Sequence, residues 1–122
     1  MKRLHGYCAI LALMHASGLP ESQVLDICRY YGFKDNGNGM EDEEINEAIR
    51  DIGIKRRRIN NAPETVGKFL KKYPVGLFIL TTYNHIFVAF NGGIVQHPGQ
   101  GIIDRRCKLE AAWRVLKKQT PR

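Results

Sequence analysis

The stretch Gly6-Tyr7-Cys8-Ala9-Ile10-Leu11-Ala12-Leu13-Met14-His15-Ala16 contains no Asp, Glu, Lys or Arg and runs into Ser17-Gly18-Leu19-Pro20. A helix that is apolar on every side has to be buried on every side, so this segment is expected to form a central core helix around which the rest of the chain packs. Its cysteine, Cys8, falls in the first turn, where the positive end of the helix dipole favours a thiolate. A cysteine in such a place is either an inert core thiol or the nucleophile of a thiol enzyme. The remaining sequence bears on the choice.

With 122 residues, 43% of them hydrophobic, the chain has the material for one domain, 1–122, with a substantial core. No apolar run reaches membrane-spanning length. The basic start Met1-Lys2-Arg3 passes directly into the helix pattern, so no secretion signal is expected. The cysteines Cys8, Cys28 and Cys107 are odd in number and far apart. They match neither a disulfide framework nor a metal knuckle, and the expected location is a reducing cytoplasm, with no cofactor.

Pro20 and Glu21 open a second helix, whose apolar face is Val24, Leu25, Ile27, Cys28 and Tyr31. Lys34 to Gly39 is loop chemistry that lacks the alternating acids of a calcium loop. A third helix is expected over 41–52, with acids in its first turn and Ile45, Ala48, Ile49 and Ile52 on one face. Ile54 to Ile59 is expected to be a basic edge strand. A fourth helix follows over 65–72. Strands are expected over 77–82, 85–90 and 94–97, the last two joined by the hairpin turn Asn91-Gly92-Gly93. Ile102 to Asp104 is a further candidate edge, and Lys108 to Lys118 reads as a final helix. Helices first and an antiparallel meander after them make an α+β domain.

His85 stands at the first position of an apolar strand. Thiol catalysis needs a base within reach of the sulfur and a third group to orient it, and a cysteine followed much later by a histidine is the papain-type order. The sequence around these residues resembles a family. Cys8 to Leu13 with Ala16 to Pro20 and Val24, then Thr65 to Phe69, Pro74-Val75-Gly76, Phe78 to Leu80, His85 to Ala89 and the glycines before Ile94, is similar to the small papain-like cysteine peptidase domains of phage and bacteria, and also to the peptidase domains of bacteriocin exporters.

The resemblance implies a papain-like fold, with N-terminal helices carrying the cysteine packed on a C-terminal antiparallel sheet. It implies cleavage of a peptide or isopeptide bond in a protein substrate, in the host cytoplasm if the chain is phage-encoded. Cys8 takes the nucleophile's position and His85 the base's. Where the family carries Asp or Asn on the next strand, this chain has Gln96, whose amide oxygen can accept the imidazole N–H, with His97 as the alternative. Where papain-like enzymes carry an upstream glutamine for the oxyanion, this chain has Lys2, with His5 nearby. These two departures are also what a papain-fold binding module that has lost catalysis would carry.

The net charge of +7, from 19 basic and 12 acidic residues, raises affinity for anionic partners. Lys55-Arg56-Arg57-Arg58 is the densest basic run and the candidate surface for an acidic partner. Without aromatic interleaving it is a weaker nucleic-acid signal. A zinc site from His5, Cys8, His85 and His97 has acceptable ligand types but no knuckle spacing.

Overall fold

A computed structural model describes residues 4–34, 39–83, 85–95 and 103–116, with the side chains of Leu4 and His5 left undescribed. In chain order its elements are β1 (Leu4–His5), α1 (Tyr7–Ser17), α2 (Glu21–Tyr30), β2 (Met40–Glu41), α3 (Asp42–Ile52), β3 (Arg56–Arg58), α4 (Val66–Lys72), β4 (Leu77–Thr82), β5 (His85–Phe90), β6 (Gly93–Ile94) and β7 (Ala111–Val115). The chain is a small α+β domain. Its main sheet has five strands in the order β3-β7-β4-β5-β6, and every neighbouring pair is antiparallel. The short strands β1 and β2 pair separately.

Local chemistry sets the helix ends. Gly18 closes α1 in the left-handed region, its N–H donating to Met14 O at 2.8 Å. Glu41 and Glu44 form a capping box at the start of α3. Thr65 caps α4 by accepting from Lys68 N–H at 3.3 Å. Asn91 (φ 48°) and Gly92 (φ 81°) make the two-residue turn between β5 and β6, the conformation an Asn-Gly hairpin turn favours.

The sheet is covered on both faces. Ile79, Ile86, Val88 and Trp113 pack with α1, α2 and α3, and with Ala9, Ile10 and Leu13 in particular. Phe78, Leu80, Phe87, Ala89 and Ala112 pack with Val66, Phe69 and Leu70 of α4. The inner strands β4 and β5 therefore carry apolar residues at most positions, as doubly covered strands do.

The expected final helix over 108–118 is corrected to a strand. β7 fills the slot between β3 and β4, pairing Arg58 with Trp113 on one side and Ile79 with Trp113 on the other. The helical spacing of Leu109, Ala112, Trp113 and Leu116 is overridden because a strand covered on both faces is apolar on both, which blurs the period-2 signature. The segment before it runs across the start of α4: Gly67 and Val66 N–H donate to the carbonyls of Arg105 and Cys107 at 2.8 and 3.0 Å. Ile103 and Asp104 form no strand, and Ile102 lies outside the described residues. Of the expected strand over 94–97, Ile94 closes β6, Val95 is outside it, and Gln96 and His97 lie outside the described residues. The basic stretch 54–59 does form an edge strand, β3.

Candidate functional site

Cys8 is the second residue of α1, half-buried against the core under the start of β5. Burial is the largest influence on its thiol and pushes it above the ordinary value. Backbone N–H groups act in the opposite direction, that of Ile86 foremost, then those of Ala9, Gly6 and Cys8 itself. The helix start and strand β5 thus converge on the sulfur, and their amides favour negative charge on it or on an oxygen beside it.

His85 is the residue before Ile86 and the first of β5. It pairs with Thr82, and its ring stacks on that of Phe87 with centroids 5.7 Å apart. Side chains alternate along a strand, so Ile86 points to α1 while His85 shares the face of Phe87 and Ala89. The structure therefore brings Cys8 to the backbone next to His85, with the imidazole directed to the other face of the sheet. Gln96, His97 and Lys2 lie outside the described residues, as does the side chain of His5. Residues 35–38 of the acidic-glycine loop lie outside them as well. Among the described residues, no cluster of three or more His, Cys, Asp or Glu side chains is placed to hold a metal ion.

Cavities and cysteine positions do not coincide simply. A cavity of about 470 Å³, lined by Ser17, Ile52, Leu77 and Phe90 among others, opens at the far end of α1. At the helical rise of about 1.5 Å per residue, that end is roughly 12 Å from Cys8. A second cleft, about 250 Å³, reaches Ile86 and so borders the Cys8 site. Its walls include Arg56, Arg58 and Trp113. The sequence carries a partial signal for this cleft, because Arg56 and Arg58 alternate onto one face of a strand. Trp113 enters it only through the β3–β7 pairing, which no local pattern reveals.

No helix among the described residues is long and apolar enough to cross a membrane. Comparisons with protein-family models, with curated proteins and with solved structures find no match for this chain.

Proposed function

We propose that this chain is a papain-like thiol enzyme that cleaves a peptide or isopeptide bond, with Cys8 as nucleophile and His85 as its base. The observation that carries the reading is the convergence of the α1 start and β5 on the Cys8 sulfur, beside the backbone of the residue that follows His85. Because burial favours the neutral thiol, the reaction proceeds by general-base activation and not from a resting thiolate. The Cys8 sulfur attacks the carbonyl carbon as its proton passes to the His85 ring. The tetrahedral intermediate then expels the amine, which takes that proton, and leaves a thioester. Water, deprotonated by His85, hydrolyses the thioester and restores the thiol. The Cys8 N–H is one oxyanion donor; Lys2 or His5 supplies the other, and Gln96 or His97 orients the ring. Because the His85 Cβ points to the Phe87 face, the mechanism requires the backbone at this first residue of β5 to leave its strand conformation and turn the ring toward α1.

A second reading is favoured by the His85–Phe87 stack: a papain-fold binding module in which Cys8 is an inert core thiol. A peptide chloromethyl ketone distinguishes the two. The enzyme gives one adduct, at Cys8, under native conditions, and Cys8→Ala abolishes it. Modification confined to the exposed Cys107 supports the binding module.

A further inference from the structure

The basic edge strand is built into a cleft. Arg56 and Arg58 lie on the same face of β3, opposite Val115 and Trp113 respectively. Their guanidinium carbons stand 4.6 and 5.5 Å from the centre of the Trp113 ring. Arg56 is held further by donating a hydrogen bond to Asn46 Oδ1 in the second turn of α3. Neither guanidinium forms an ion pair among the described residues, so two cations stand against one ring with no carboxylate of the described residues bound to either. Both line the cleft of about 250 Å³ that extends to Ile86.

We infer that this cleft binds a carboxylate side chain of an acidic peptide segment and presents that segment to Cys8. Guanidinium forks match a planar carboxylate, and the Trp113 face gives its methylene stem an apolar surface. Asp42 and Glu110 line the same cleft and oppose the entry of a polyanion such as nucleic acid, whereas a single carboxylate flanked by neutral amides meets less repulsion. Ile86 is the shared element: it lines the cleft, and it belongs to the core cluster against which Cys8 packs. The role as a substrate subsite rests on the reading of Cys8 as nucleophile; binding of the carboxylate does not.

Trp113 is the one tryptophan of the chain, so its emission reports on the cleft directly. The full chain is titrated with a capped alanine-glutamate-alanine peptide, its glutamine counterpart, and a thymidine oligonucleotide. The expected result is a saturable change with the glutamate peptide at an affinity at least about tenfold above that of the glutamine peptide. This difference persists in Cys8→Ala and disappears in Arg58→Gln, whose far-UV spectrum stays unchanged. Equal response to the two peptides, no saturable response, or tighter binding of the oligonucleotide overturns the proposal. Because the glutamate–glutamine comparison uses the unmodified chain, it holds even if Arg58→Gln fails to fold. Carboxylate binding together with an unreactive Cys8 overturns the subsite role alone, while a reactive Cys8 without it overturns the cleft alone.

Discussion

Cys8 sits under opposing influences, with desolvation raising its pKa and the surrounding amides lowering it. Cys28 experiences only the first. It is fully buried, and its thiol is pushed up to about 11 from 9.0. A thiol that keeps its proton longer in the folded chain stabilises the fold below its unfolded pKa, and that stabilisation is lost as pH rises through the folded one. Urea unfolding between pH 9 and 11 is therefore expected to show a decline on the order of 2 kcal/mol that Cys28→Ala lacks. Parallel declines in the two proteins would contradict the assignment. At this scale Cys8 was legible from one helix, because an apolar run fixes both burial and the first turn. The facing of His85 was not, because it depends on where β5 starts and on its register with β4, set by Thr82↔His85.

Among the elements, α3 and α4 show how unequal the supports are. Gly32, at φ 121°, follows α2, and a Cβ there would collide with Glu44 Oε2. That carboxylate accepts from Glu41 N–H at 2.9 Å in the α3 capping box, so moving it aside costs the cap. Gly18, also at positive φ, has open space around it. Gly32→Ala is expected to lose about 2 kcal/mol or more, and Gly18→Ala about 1, by chemical denaturation; equal losses would show that the collision is relieved for free. On α4, Phe69 is 0% exposed and meets Tyr73 and Phe78 at 4.7 and 5.1 Å between ring centres. Phe69→Ala is expected to cost about 3–5 kcal/mol, against less than about 0.5 for Tyr30→Ala at 81% exposure. Helices α2, α3 and α4 were readable because each carries a start signal and an apolar face, and α1 because its run is apolar throughout. The strand β7 was not, since Ala111-Ala112-Trp113-Arg114-Val115 has no turn chemistry of its own and becomes a strand only where β3 and β4 leave unpaired edges.

For the whole molecule, helices on both faces of an antiparallel sheet place the start of α1, the start of β5 and the Arg56–Trp113–Arg58 cleft around Ile86. The α+β architecture followed from the order of helix and strand patterns, while the cleft required long-range pairing between β3 and the last strand. The central claim is that Cys8 and His85 work together, and the pH dependence of alkylation tests it most directly. Iodoacetamide rates at Cys8, Cys28 and Cys107 are measured from pH 5 to 10 in the unmodified chain and in His85→Ala. Cys8 is expected to react fastest at pH 7, and His85→Ala is expected to slow it at least about tenfold and to move the rise of its profile to higher pH, where burial alone holds the thiol. A Cys8 rate no greater than that of Cys107, unchanged by His85→Ala, would contradict it.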